Sequence, residues 1–259
     1  VPLAREKVNR STAFDSDHLR DAYPPGIERS WWHVARNRVI TRAFALHIGK
    51  EERVLEVGCG TGIVTNALRA RGWNVTGVDL AGQADAGRPD SHLLLGADAL
   101  TLPRTLREGF TVLALFDVIE HIADAPAFLR ALLAAYPNTR QVVITVPART
   151  ELWTTFDDHY GHFRRYDRAM LRSEIEKTGL RTDHLAYFFH ALHPVILLNN
   201  LVRGRERDTR FQAPKGSLSI ALNTWIGHAF ALEARLLPGP LIGSSIIAIA
   251  RRDASGPAG

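Results

Sequence analysis

An apolar strand that runs directly into a glycine-rich turn constrains this chain more than any other feature: Val54-Leu55-Glu56-Val57-Gly58-Cys59-Gly60-Thr61-Gly62. Without a β-carbon, glycine lets the backbone approach a bound molecule closely, and a turn of this kind between a strand and a helix is where an α/β sheet holds a nucleoside. The spacing is G-x-G-x-G, and Ile63 stands where the last glycine of the dinucleotide pattern G-x-G-x-x-G would fall. That departure argues against NAD. Glu56 at the strand end would repel a pyrophosphate, and no arginine or lysine closely follows the turn to answer one, so a neutral or cationic nucleoside that bears an amino acid suits the site better.

The downstream runs extend the pattern. Asn74 to Asp79 is a second β-rich run ending in an acid, placed so that one carboxylate can accept both hydroxyls of a ribose, and Asp79 is the expected ligand. A third run, His92 to Leu100, contains Asp98. A fourth, Phe110 to Phe116, leads into Asp117-Val118-Ile119-Glu120-His121, and a fifth, Gln141 to Val146, stops at Pro147. Leu180 to Phe189 and Gly243 to Ala250 look like the last two strands. Strand-like runs alternating with helical segments predict an α/β sheet. Any single acid among these can equally be a helix cap or a loop residue; their joint spacing favours a site.

Taken together these residues resemble the S-adenosylmethionine-dependent methyltransferases with a Rossmann-like domain, whose first motif E/D-x-G-x-G-x-G is matched by Glu56, Gly58, Gly60 and Gly62. The resemblance implies a doubly wound seven-stranded sheet with an antiparallel last strand and a helical cap. It implies S-adenosylmethionine as cofactor and S-adenosylhomocysteine as its product. It puts Asp98 near the adenine amino group with the Ala99 N–H at a ring nitrogen, and adds Glu56, Gly58, Gly60 and Phe116 to the cofactor set. A helix starting after Ser30 would bring Arg36 to the cofactor carboxylate and Trp32 to the acceptor; the alternative makes Arg36 and Arg38 solvated and Trp31 and Trp32 core.

Two further matches concern the chemistry. Glu120-His121 corresponds to the Glu-His pair of O-methyltransferases of this group, and Gly161, His162, Arg164, Arg165 and Tyr166 match the G-H-x-R-R-Y segment of one subgroup. His121 and His162 are the expected bases, because an imidazole near its neutral form can take the proton of a hydroxyl acceptor. His159, Arg165 and Tyr166 are expected at the acceptor. The competing reading has Arg164 and Arg165 solvated, Tyr166 in the core and Asp167 capping a helix from Arg168 to Lys177. Asp117, Glu120 and His121 also have a spacing compatible with a divalent cation, but no resident metal is expected.

A single methyltransferase domain over 1–259 is the simplest organisation, with an arm or lid over 1–29 and a helical cap inserted at 190–238. The segment 80–91, with two glycines and a proline, predicts a short or missing crossover helix. In the cap, Leu218, Leu222, Trp225, Ala229, Leu232 and Leu236 recur at helical spacing. Their commonest meaning is core packing, although an apolar acceptor pocket, a homodimer face or a peripheral membrane contact would use the same pattern. The formal charge of +5 comes from 28 arginines and four lysines, an arginine-heavy balance typical of a GC-rich bacterial genome. No basic stripe with interleaved aromatics runs along a helix, so no nucleic-acid partner is expected. The lone Cys59 and the lack of a signal pattern predict a cytoplasmic setting, and no apolar run reaches the roughly 18 residues of a transmembrane helix. The expected activity is methylation of an oxygen or nitrogen of a small-molecule biosynthetic intermediate, natural-product-like or sugar-containing. The alternatives are methylation, including C-methylation, of a lipid-linked or polyketide-like acceptor, and a non-methylating S-adenosylmethionine-binding protein or cyclase.

Overall fold

The computed structural model describes residues 21–82 and 92–252. Among them seven strands form one sheet: β1 (Arg53–Val57), β2 (Asn74–Asp79), β3 (Leu93–Leu95), β4 (Val112–Phe116), β5 (Gln141–Pro147), β6 (Leu180–Phe188) and β7 (Ser245–Arg252), in the order β3-β2-β1-β4-β5-β7-β6. The strands from β3 through β5 pair in parallel, and β7 alone runs the other way, antiparallel to both β5 and β6. This is the architecture that the resemblance implied, including the antiparallel last strand.

The helices cover both faces of the sheet, and strand periodicity divides the core between them. Leu55, Val57, Leu113, Leu115 and Ile144 point to one face, where α4 (Ala125–Ala135) and α6 (Arg168–Glu176) bury Leu129, Leu132, Leu171 and Ile175. Val54, Val112, Ala114, Phe116 and Val143, the residues between, point to the other, against Ile40 and Phe44 of α1 (Trp31–His47) and Leu68 of α2 (Ile63–Arg69). A strand buried on both sides has no polar face, which is why β4 reads as an unbroken apolar run. The short helix α3 (Arg104–Arg107) leads into β4.

The third run yields a strand of only three residues. Gly96 turns the chain at φ 69°, and the Asp98 carboxylate accepts from Leu100 N–H at 2.8 Å to start a 3-10 turn at Ala99–Thr101, so the rest of the run is loop. The predicted lack of a crossover helix after β2 falls mostly on 83–91, outside the described residues, as do the first twenty residues of the predicted arm.

The cap consists of α7 (Leu192–Arg203) and α8 (Ser217–Leu236), joined by a long loop. Between α4 and α6, the segment after β5 carries the short helix α5 (Thr155–His159). Core packing, the commonest reading of the α8 stripe, is overturned: Leu218, Leu222, Trp225, Leu232 and Leu236 are all exposed. The opposite side of α8 holds the contact with α1, where Gly227 lies so close that a β-carbon would come within 2.7 Å of Val34.

Candidate active site

In this sheet the strand order reverses between β1 and β4, and the crevice beyond their C-terminal ends is bordered by the segments that follow them. After β1 the chain makes the glycine turn. Gly58, Gly60 and Gly62 all have left-handed backbones, with φ of 74°, 55° and 81°. Gly58 N–H and Cys59 N–H donate to Val78 O at 2.8 and 3.1 Å, which fastens the turn to β2. Above it the ring of Tyr23 lies so near that a β-carbon on Gly60 would meet it at 2.9 Å, and Val118 would be met at 2.7 Å from Gly58. The glycines are thus required both by conformation and by close approach.

Asp79, at the end of β2, accepts from Gly60 N–H at 2.7 Å and from Ala81 N–H at 2.8 Å. Burial pushes its carboxyl up, and these two backbone bonds partly offset that. Each oxygen keeps lone pairs beyond the bond it accepts, so the carboxylate can still receive hydroxyls. Glu56 lies deeper. It is buried and accepts from the Thr65 hydroxyl, tying β1 to the first turns of α2, and burial pushes it up to about 7 despite the Thr65 bond. That fixes the turn from below and leaves Glu56 little surface for a direct ligand contact. Asp98 is the cap described above, and buried Ala99 gives its carbonyl to Tyr136 Oη at 2.6 Å.

The helix α1 supplies the opposite wall. Arg36 is buried, forms an ion pair of 2.6 Å with Asp117, and lies 5.0 and 5.9 Å from the ring centroids of Trp32 and Phe116. Its Nε has no hydrogen-bond partner among the described residues. Asp117, the first residue after β4, takes a left-handed φ of 57° without being glycine, a strain characteristic of functional turns. Arg36, Trp32 and Phe116 are therefore brought together, and neither arginine nor tryptophan is simply solvated or simply core.

The segment after β4 and the loop after β5 build the second half. Phe163 N–H donates to Glu120 O at 2.7 Å, which seats His162 beside the 3-10 turn Ile119–His121. One ligand atom each from Glu120, His121 and His162 lies within 4.8 Å of the others, and the two imidazoles meet edge to face with centroids 4.7 Å apart. His162 Nδ1 is 2.8 Å from Asp157 Oδ1, and Arg165 clamps the same carboxylate through Nε and Nη2 at 2.7 and 3.0 Å. Burial pushes Asp157 up, but His162 and Arg165 outweigh it and hold the group down at about 2. An ionised Asp157 fixes the Nδ1–H tautomer, which leaves Nε2 of His162 as a proton acceptor. Burial, and then His162, hold His121 down at about 3, so this ring stays neutral. Glu120 is fully buried and neither carboxylate oxygen has a partner of good geometry among the described residues; burial and then Asp117 push it well above the usual carboxylate range. With Asp157 behind His162, one carboxylate and two imidazoles are also donors that a divalent cation can use.

Two of the residues expected at the acceptor are corrected. Tyr166 is fully buried, and its hydroxyl donates to Glu174 at 3.0 Å, so it belongs to the core on the α6 side. Arg165 gives its donors to Asp157 and to Ala148 O, which makes it the support of the Asp157–His162 pair. Arg164 likewise is taken up by Glu174 and the carbonyls of Ile122 and Ala123. His159 is exposed on α5, edge-on to Tyr160 at 4.9 Å, and lies outside the buried histidine cluster. Asp157 and Tyr23 are the residues that sequence reasoning missed. Thr154-x-x-Asp157 reads only as a capping box, which it also is, and nothing in the sequence joins Tyr23 to Gly60. A cavity of about 1000 Å³ opens at the opposite end of the parallel strands, beside Thr111, Gln141 and Arg251, away from these groups.

Residues 31–185 match a family described as a methyltransferase domain. The chain is similar to the ubiquinone biosynthesis O-methyltransferase of Idiomarina loihiensis, 32% identical over 112 residues, or 39% of this chain and 45% of that protein. Its counterpart in Pseudomonas entomophila is 35% identical over 88 residues, or 31% and 38%. The match therefore spans less than half the length of these curated relatives. Among solved structures, the fold is similar to that of a chain from the complex between the Haloferax volcanii Trm112 methyltransferase activator and its methyltransferase partner, with TM-score 0.54, 13% identity and coverage of 92% and 96%. It is also similar to magnesium protoporphyrin IX methyltransferase from Synechocystis with bound S-adenosylhomocysteine, with TM-score 0.50, 14% identity and coverage of 85% and 83%.

Proposed function

The chain belongs to the S-adenosylmethionine-dependent class I methyltransferases, and from that premise we propose that it methylates an oxygen, or a nitrogen, of a small-molecule biosynthetic intermediate. A hydroxyl is the acceptor that uses the site fully, and natural-product-like or sugar-containing molecules are the class in view. The observation that carries this reading is the buried Asp157–His162 pair beside the cofactor crevice, because a hydroxyl must lose a proton as it is methylated whereas a neutral amine can lose it afterwards.

The residues present suit the cofactor. The left-handed glycine turn, packed too tightly against Val118 and Tyr23 for a β-carbon at Gly58 or Gly60, lies next to a carboxylate, Asp79, that can receive ribose hydroxyls, and Arg36 has a buried donor without a partner for a carboxylate. Asp98 and Ala99 would border the adenine, and Phe116 and Trp32 would line the wall. When bound, S-adenosylmethionine supplies an electrophilic methyl group on sulfur. The chain's own part is then to hold the acceptor in line with that methyl, to shield it from water with Tyr23 and Trp32, and to take the acceptor's proton on Nε2 of His162. Asp157 holds the resulting imidazolium and Arg165 holds Asp157.

The test is methyl release with hydroxylated and amine acceptors. His162→Ala should lower turnover on a hydroxyl acceptor about 10²–10⁴-fold while cofactor affinity stays, and should cost far less with a neutral amine. Equal turnover of the variant on hydroxyls removes His162 from proton transfer. Turnover abolished by a chelator and restored by a divalent ion would reassign Glu120, His121 and His162 as ligands. The exposed apolar stripe of the cap favours a second reading, a lipid-linked or polyketide-like acceptor. Cofactor binding with no methyl release to any acceptor would favour the non-methylating alternative.

A further inference from the structure

The helix α8 is apolar on two opposite sides, and only one of them is used. Asn223, Gly227 and Phe230 face α1: the Asn223 side chain accepts from Trp31 N–H at 3.0 Å, Gly227 abuts Val34, and the Phe230 ring lies 5.2 and 5.6 Å from those of Trp31 and Phe189. At about 100° per residue, Leu218, Leu222, Trp225, Leu232 and Leu236 fall on the other side, in a stripe roughly 80° wide. They are 51% to 87% exposed, and no charged residue interrupts α8 before Glu233. The helix α7 adds Val195, Leu198, Leu201 and Val202, each at least 60% exposed, and carries no charge until Arg203. Isolated exposed leucines are ordinary, but a continuous helical stripe of this kind on a folded domain marks a contact surface.

Charge identifies what the surface meets. The loop between the two helices carries Arg203, Arg205, Arg207, Arg210 and Lys215 against Glu206 and Asp208, and Arg235 lies at the far end of α8. Glu233, the one acid within α8, is turned inward and accepts from Ala191 N–H. We propose that α7 and α8 seat the protein on an anionic lipid bilayer, lying in the plane of the interface with the stripe among the acyl chains and the arginines at the phosphates. A surface helix with an uncharged leucine face, a tryptophan in its middle and cations at its ends has the composition of an in-plane membrane helix. A second copy suits it less, because a twofold contact through this face opposes the same stripe with itself and draws the two cationic rims together. No helix of the described residues is long and apolar enough to cross a membrane, so the contact is peripheral.

The surface is also connected to the candidate active site. Phe211 of the cap loop packs on Phe156 and Tyr160 with centroids 5.3 and 6.1 Å apart, and Tyr160 Oη donates to Thr209 O at 2.9 Å. The loop that presents Asp157 and His162 therefore rests against the segment that would lie at the lipid surface.

The experiment is co-sedimentation of the whole chain with phosphatidylcholine vesicles, with and without phosphatidylglycerol, independent of any methyl transfer. Binding is expected only to the anionic vesicles and should weaken as salt is raised. Leu222→Glu with Trp225→Glu should abolish it while S-adenosylhomocysteine binding, the measure of folding, is retained. Replacing Arg203, Arg205 and Arg210 by glutamine should weaken it about fivefold per charge, the equivalent of about 1 kcal/mol each. A second readout does not depend on those variants: the tryptophan emission should move to the blue on anionic vesicles, and Trp225→Phe should remove that change. Wild-type protein that stays in the supernatant, binding equal on neutral vesicles, or an emission change that survives Trp225→Phe overturns the proposal. A lipid-indifferent dimer that Trp225→Glu dissociates overturns it in favour of a second copy.

Discussion

At the scale of single residues, the site depends on carboxylates whose roles are set by what surrounds them. Asp79 lies at the rim, held by two backbone N–H groups of the glycine turn and the loop beyond, with acceptor capacity left over. Asp79→Ala should weaken S-adenosylmethionine binding by about 1.5–3 kcal/mol, as for lost bonds to a charged group, and calorimetry showing unchanged affinity would take Asp79 out of the site. Asp157 has no such spare capacity, because His162 and Arg165 occupy it. Asp157→Asn keeps the shape but removes the anion that fixes the imidazole tautomer. It should therefore reduce turnover on a hydroxyl acceptor while the dissociation constant for S-adenosylmethionine stays near wild type. A change confined to cofactor affinity would contradict the role given to Asp157.

At the scale of elements, α8 and α1 form the contact that fixes the cap to the domain, and its closeness depends on one glycine. A β-carbon at Gly227 would meet Val34 at 2.7 Å and the carbonyl oxygen of Trp31 at 2.9 Å, and backbone cannot step aside as a flexible side chain can. Gly227→Leu should therefore destabilise the protein by about 1–3 kcal/mol, the usual cost of overpacking. Trp225→Ser, two residues earlier but on the exposed side, should leave the melting temperature almost unchanged. Equal losses in the two variants would mean that the packed and open sides of α8 have been assigned wrongly. The glycine turn makes a parallel case: Gly60→Val strains a left-handed backbone and fills the space between the turn and Tyr23, so cofactor binding should be lost in a protein that still folds.

At the scale of the whole molecule, Glu56 ties stability to pH. Its folded pKa, raised by burial to about 7, exceeds the 4.5 of an unperturbed carboxyl. Between those values the folded state keeps a proton that the unfolded state has released, so the contribution of Glu56 is fully present below the unfolded value and is lost as pH rises through the folded one. Glu56→Gln cannot ionise. Its stability relative to wild type should improve as pH rises from about 4.5 to about 7 and then level off. Denaturant melts of both proteins across that range check the sign, and a gap that narrows in the opposite direction would mean that Glu56 is ionised when folded. Since the cofactor binds only the folded chain, saturating S-adenosylmethionine should raise the melting temperature of both, and NAD should not.

Much of this was legible in the sequence because it is local. A strand that meets glycines at alternate positions needs left-handed backbone wherever it occurs, and the turn at Gly58, Gly60 and Gly62 took that form. Runs of apolar residues marked the strands, all but β3 to within two residues, whereas the run from His92 to Leu100 overshot β3 because Gly96 and the Asp98 cap end it; the seven-stranded order with β7 reversed followed from the resemblance those motifs support. The resemblance singled out Arg36, Trp32 and Phe116 one by one, and the structure puts the Arg36 guanidinium over both rings. What the sequence could not decide was direction and long-range pairing. Periodicity shows that α8 has an apolar side but is silent on which neighbour covers it, and two opposite apolar sides compete until α1 takes one. Tyr166 and Arg165 are adjacent in a motif and point to opposite duties, one into the core and one onto Asp157, because successive residues of extended chain face opposite ways. The meeting of Glu120 and His121 with His162, and of Tyr23 with Gly60, exists only because the sheet order sets the C-terminal ends of β1, β4 and β5 side by side, where segments far apart in the chain share a single crevice.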